Sequence, residues 1–205
     1  MSQAVKAPRR GPGRPDTGAA DRILEAAYEV LARDGYAGTT TAKVAAASGQ
    51  NKALIAYHYG SKDGLIAAVA RKVSETITEQ ILGEIGEPAS PDELLGGLVE
   101  ALWRAMDGDP GLQRVYFDLS SEAVVESGVG HLMTEMKREH RAILRDRIRE
   151  LAPRLDDAEL DAIAIYIQSG LEGLSLERLD AGDTAGLARA SEIFAAGAVA
   201  AIERR

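Results

Sequence analysis

TTAKVAAASGQNKALIAYH, residues 40–58, is the stretch on which the reading of this chain turns. Two short helical stretches, Thr40 to Ser48 and Asn51 to Tyr57, meet at Gly49, where a sharp turn favours a residue that tolerates positive φ. Ala45, four residues earlier, is small enough to let the second helix pass close to the first. Val44 and Ala47, with Leu54 and Ile55, form a shared apolar seam. Gln50, Asn51, Lys52, Tyr57 and His58 make a polar face that needs no burial. This is the pattern of a helix-turn-helix, whose second helix enters the major groove of DNA.

Outward from this stretch, the charge distribution points the same way. The 205 residues carry 24 Lys plus Arg against 32 Asp plus Glu, a net charge of −8. Residues 1–62 hold nine basic and five acidic residues, a net of +4, and the remainder holds 15 against 27, a net of −12. A basic end on an acidic body suits a chain that meets a polyanion at one end only, although a flexible basic tail gives the same asymmetry by chance. There is no cysteine, which excludes disulfides, thiolate nucleophiles and zinc–sulfur sites. The longest wholly apolar runs, such as Leu65 to Ala70, fall far short of a bilayer span, and no signal-like apolar stretch follows the first basic residues. A cytoplasmic chain with no membrane partner is expected.

Residues 1–16, with Pro8, Gly11, Pro12, Gly13 and Pro15, resist helix and read as a flexible basic arm. Helices are then expected from near Asp21 to Gly35, over the two stretches above, and from about Asp63 to Gly83 with Ser61 as N-cap. Gly83 to Pro91 is the clearest break. Beyond it the pattern predicts helices near Asp92–Met106, Gly111–Val125, Gly130–Leu151, Ala158–Leu179 and Thr184–Ile202. Nothing alternates with period two, so the predicted fold is all-α.

The sequence resembles the tetracycline-repressor (TetR) family of transcriptional regulators. The resemblance runs from Arg22-Ile23-Leu24-Glu25-Ala26-Ala27 through Gly35-Tyr36, Thr39-Thr40, Val44-Ala45 and Ser48-Gly49. It continues over Asn51-Lys52, Ile55, Tyr57-His58-Tyr59-Gly60-Ser61-Lys62-Asp63 and Leu65, about 45 residues in all. The chain departs from the family's habit at Ala56, where Tyr is frequent, at Ala53, where Gly often follows the lysine, and at Lys43, where an acidic residue is common. The resemblance implies a helix-turn-helix domain over 17–65, joined by a linking helix at about 63–83 to a ligand-binding and dimerisation domain over 66–205. It further implies a homodimer on a palindromic operator, released by a small effector, with no cofactor.

Residue roles follow. Thr40 caps the first helix of the motif, and its helix N-terminus is also a phosphate site. Gln50, Asn51 and Lys52 open the recognition helix, where amides pair with adenine and Lys with guanine. Tyr57 and His58 suit phosphate contacts, with packing as the alternative for Tyr57. Lys62 in the first turn of the next helix shares a phosphate with backbone N–H groups, and Lys43 adds charge to the motif's first helix. Arg9, Arg10 and Arg14 resemble a minor-groove hook, or else supply nonspecific affinity.

In the second half, Trp103, Met106, Tyr116, Phe117, Met133, Met136, His140, Tyr166 and Ser169 are candidates for an apolar effector pocket, each with plain core packing as its alternative. Ile163, Ile167, Gly170, Leu171 and Leu174, with Leu187, Phe194, Ala195, Ala198 and Ile202, are candidates for a two-fold four-helix interface. Two rival readings stand beside these. One is a helical enzyme using the stripes Asp118/Glu122/Glu126 or His131/Glu135/Glu139, with solvated faces as the plain alternative. The other is a nonspecific architectural DNA binder.

Overall fold

The structure, a computed structural model, describes residues 17–83, 85–125 and 128–204. Among these the chain is helical throughout, without a strand. The helices are α1 (Thr17–Gly38), α2 (Thr41–Ser48), α3 (Lys52–Tyr59), α4 (Lys62–Ile77), α5 (Pro91–Gly108), α6 (Pro110–Ser121), α7 (Gly128–Leu151), α8 (Asp157–Ala181) and α9 (Ala185–Glu203). Side-chain caps set most of the starts. Thr40, Asn51, Ser61, Ser90, Asp109, Asp156 and Thr184 each accept a bond from a backbone N–H of the first turn that follows.

Two expectations need correction at helix ends. Gly35 does not stop α1. It leaves helical geometry at φ 71° and ψ 174°, and the chain then turns once more to Gly38. The kink is held by Thr39 Oγ1, which donates to the Gly35 carbonyl at 2.7 Å, and by Asp118 Oδ2, which accepts from the Tyr36 N–H at 2.5 Å. The linking helix is not continuous to Gly83 either. Regular α-helix ends at Ile77 and a π-helical turn, Thr78–Leu82, follows. Thr76 and Thr78 hydroxyls bond back to the Lys72 and Ser74 carbonyls at 2.9 Å each, which loosens the ladder where it widens.

The apolar residues form two cores. The first joins Ile23, Val30, Val44, Ile55, Leu65 and Val69 of α1–α4 to Leu112, Val115 and Leu119 of α6 and to Val129, Met133 and Met136 of α7. The second joins Leu94, Leu98 and Leu102 of α5 to Leu144 and Ile148 of α7, Leu160 and Ile167 of α8, and Phe194, Ala198 and Ile202 of α9. The first core therefore runs straight across residue 65, the boundary expected from sequence. Ile77 packs against both cores.

Candidate nucleic-acid interface and ligand cavity

The α2–α3 pair has the expected turn, with Gly49 left-handed at φ 66° and ψ 16°. Val44 and Ile55 are buried in the seam, Ala45 and Leu54 pack at its edge, and Ala47 is exposed instead. Thr40 Oγ1 accepts from the Lys43 N–H at 3.2 Å and Asn51 Oδ1 from the Leu54 N–H at 2.8 Å. The Asn51 side-chain oxygen is thus spent on its own helix, and only its NH2 faces outward as a donor. Gln50 is half-buried, Lys52 is exposed without an ion pair among the described residues, and Tyr57 is 69% exposed.

Two other expected DNA contacts, Lys62 and Lys43, have internal partners, and a third, His58, is partly buried. Lys62 Nζ donates to the Tyr36 carbonyl at 2.8 Å and lies 4.3 Å from the centre of the Tyr36 ring, so its charge caps the end of α1. Lys43 Nζ binds Asp34 and the Gly38 carbonyl, each at 2.8 Å. Arg33 and Lys43 together hold the half-buried Asp34 carboxyl well below the usual carboxylate range, mainly through the hydrogen bond from Arg33. His58 stands edge-on to Tyr57 at 5.1 Å, but its Nε2 is buried without a hydrogen bond among the described residues, so that nitrogen does not face outward. Tyr59 donates to the Ala20 carbonyl at 2.8 Å, a structural role. Arg9, Arg10 and Arg14 lie outside the described residues.

A cavity of about 90 Å³ opens between the two cores. Each of five elements contributes side chains spaced by three or four residues: Ile77 and Ile81, Leu98 and Leu102, Gln113 and Tyr116, His140 and Leu144, and Gln168, Leu171, Glu172 and Ser175. Tyr116 and His140 are the two sequence candidates found there. Met133 and Met136 fill the first core, Met106 fills the second, and Phe117 packs on the first core edge-on to Tyr116 at 5.5 Å. Trp103 stacks on the Arg178 guanidinium at 5.0 Å. Tyr166 and Ser169 face outward on α8, and Tyr166 lies 5.8 Å from the Phe194 ring. Neighbouring residues on a helix point about 100° apart, so Tyr116 and Phe117 cannot both reach one cavity.

Sequence reasoning missed Gln113, Gln168 and Glu172, polar residues inside otherwise amphipathic helices. Their spacing relative to Tyr116 and Ser175 was the available signal. The Tyr116 hydroxyl donates to Glu172 Oε1 at 2.8 Å, and Lys137 Nζ reaches Glu172 Oε2 at 3.2 Å. Burial, reinforced by Glu172, pushes the Tyr116 phenol above its ordinary value. His140 Nε2 meets Ser74 Oγ of α4 at 2.9 Å, and burial lowers its pKa, so the ring is neutral near pH 7. A larger cleft of about 410 Å³, lined by Tyr28, Lys72, Val73 and Asp109 among others, lies at the surface where α1, α4 and α6 meet.

The interface candidates also divide. Ile163, Ile167, Leu187, Phe194, Ala198 and Ile202 are buried within the chain itself, and Leu171 lines the cavity. Leu174 and Ala195 pack partly against the second core. Gly170 lies so close to α9 that a Cβ there would meet the Phe194 ring. The outward faces of α8 and α9 instead carry Ile165, Tyr166, Leu176 and Ile193 at 45%, 46%, 55% and 60% exposure.

Of the rival stripes, Asp118 is occupied by the Tyr36 N–H, and His131, Glu135 and Glu139 are exposed.

A helix-turn-helix presenting the start of its second helix, on an all-helical body with its own cavity, defines a DNA-binding transcriptional regulator. Residues 23–69 match the family of bacterial regulatory proteins called tetR, and residues 91–202 match the C-terminal part of BetI-type transcriptional repressors. The chain belongs to the tetR family, with a C-terminal half of the BetI type. It is 27% identical over 137 residues to the HTH-type transcriptional regulator BetI of Rhizobium meliloti, covering 67% of each chain. It is 24% identical to the HTH-type transcriptional repressor AcnR of Corynebacterium efficiens, covering 83% of this chain and 87% of that one. A transcriptional regulator structure from Pseudomonas aeruginosa PAO1 superposes with a TM-score of 0.76 at 26% identity, over 91% of this chain and 93% of that one. AibR, solved in complex with isovaleryl coenzyme A and operator DNA, shares the fold at 20% identity and a TM-score of 0.62, over 89% of this chain and 96% of that one.

Proposed function

We propose that this protein is a cytoplasmic, ligand-responsive repressor that binds a palindromic operator as a homodimer and is released by a small, largely apolar effector. Lys52, Tyr57, Gln50 and the Asn51 NH2 make the contacts of α3, and the arm residues Arg9, Arg10 and Arg14 add phosphate or minor-groove contacts. The observation that carries the effector reading is the position of the cavity. Its wall includes Ile77 and Ile81 at the far end of the linking segment, whose near end starts at Ser61 beside the motif. A ligand larger than the cavity must push that wall. It shifts the equilibrium only by its difference in affinity for the two arrangements.

The repressor names of AcnR and of the BetI-type C-terminal family support the sign of regulation. An architectural DNA binder would leave the cavity and its polar lining without a role. Selection of genomic fragments tests the reading directly. A few pseudo-palindromic sites should be enriched, with affinity at least about a thousandfold above random duplex at physiological salt. Equal affinity for random duplex overturns it. Deleting residues 1–16, which removes Lys6, Arg9, Arg10 and Arg14, should flatten the salt dependence of operator affinity by roughly 0.9 log units per lost phosphate contact.

A further inference from the structure

Gln113 of α6 is 4% exposed, lines the cavity, and makes no side-chain hydrogen bond among the described residues. Every other polar group around it has a protein partner. The Tyr116 hydroxyl is given to Glu172, and Glu172 is neutralised by Lys137. Gln168 accepts from Arg141 Nε at 2.9 Å and donates to the Lys137 carbonyl at 3.2 Å. The Ser175 hydroxyl donates to the Leu171 carbonyl at 2.8 Å, and His140 is bonded to Ser74. Buried amides are nearly always paired, so an unpaired one aimed into a cavity marks a place where a ligand group completes the bonding.

The charge balance restricts that ligand further. The nearest charges are already engaged, Lys137 with Glu172 and Arg141 Nε with Gln168 Oε1, so an ion entering the cavity would be desolvated against groups that hold other partners. The remaining lining, Ile77, Leu98, Leu102 and Leu144, is apolar. At about 90 Å³ the space is smaller than the ~150 Å³ cavity that accommodates benzene, so the ligand's chain is short and even a short chain presses on the wall.

We infer that the effector site takes an uncharged molecule with a short apolar chain and a carboxamide-like head, whose adjacent donor and acceptor pair with the side-chain amide of Gln113. This rests on the reading of the cavity as the effector site. Gln113 is the residue that selects the head group, and the apolar wall selects the chain.

Calorimetric titration of the full chain with butanamide, butanoate and butylamine at about pH 7.5, where the acid and the amine are ionised, tests this. Butanamide should bind at least about tenfold more tightly than either ion, and Gln113→Leu should weaken butanamide by about tenfold or more while leaving the unfolding temperature unchanged or higher. Gln113→Met serves the same purpose if the leucine variant does not fold, and the ranking of the three probes on the unaltered chain needs no variant. The inference is overturned if either ion binds as well as the amide, if the substituted chain binds butanamide unchanged, or if none of the three binds. Operator affinity is measured alongside. Amide binding that leaves operator affinity unchanged upholds the head-group inference and removes the effector role, whereas a reversed ranking removes the inference and leaves the DNA-binding reading intact.

Discussion

Lys52 and Lys62 each open a helix, α3 and α4, and each follows a capping residue, Asn51 and Ser61. By sequence both are expected on DNA, Lys52 at a base edge and Lys62 at a phosphate. In space they differ, because the end of α1 passes beside the second and not the first. Lys62 satisfies the Tyr36 carbonyl and covers the Tyr36 ring, while Lys52 is exposed. Lys62→Ala should therefore lower stability by about 1 kcal/mol, a drop of a few degrees in thermal midpoint. Lys52→Ala should leave the midpoint unchanged and cost about 1–3 kcal/mol of operator binding. Thermal melts beside gel shifts read both, and the opposite pattern would reverse the two assignments. No pattern within residues 50–63 distinguishes the two lysines, since the distinction depends on a contact 26 residues away in the chain.

At the scale of elements, α6 is the piece that the two halves share. Its Asp109 accepts from the Tyr28 hydroxyl and its Asp118 from the Tyr36 N–H, both on α1, while Gln113 and Tyr116 between them line the cavity. The helix was legible to within a residue, expected from Gly111 and found to start at Pro110 behind the capping Asp109. The use of Asp118 was not legible. On sequence it belongs to an acidic stripe, and its value lies in the kink at Gly35.

His140 gives this joint a pH dependence. Burial lowers its pKa below the ordinary value of about 6.5, although the Ser74 hydrogen bond, Glu139 and Glu172 oppose the shift. A histidine held neutral in the folded chain takes up its proton more readily when unfolded. Stability is therefore retained above about pH 6.5 and falls as the pH drops through that value. Urea unfolding between about pH 5 and 8 should show the decline, and His140→Gln, which keeps a partner for Ser74, should remove part of it. An identical decline in both chains would mean that His140 takes no part.

At the scale of the whole molecule, α9 raises the question of what covers it. It is 19 residues long and apolar enough to pass for a membrane span by composition, yet only a third of it is buried. Its Phe194, Ala198 and Ile202 side fills the chain's own core, and the opposite side presents Ile193 among Ala196, Gly197 and Ala200. The face of α8 beside it adds Ile165, Tyr166 and Leu176. The interface candidates read from the sequence lie mostly on the inward faces of these two helices, where the heaviest apolar residues are. A chain's own core takes those first and leaves smaller, mixed residues for a partner. A two-fold operator requires two α3 helices about 34 Å apart, and on the proposed dimer reading this face is the candidate contact. A charge at its centre should then separate the two copies. Ile193→Glu replaces a residue that is 60% exposed, so the monomer should keep its helical content and its thermal midpoint. If the proposed homodimer uses this face, the unaltered protein should sediment as two chains and Ile193→Glu as one, and operator binding by the variant should need a much higher concentration, since each protomer would have to find its half-site alone. If Ile193→Glu still sediments as a dimer, the two-fold contact lies elsewhere, and the exposed sides of α8 and α9 serve some other surface.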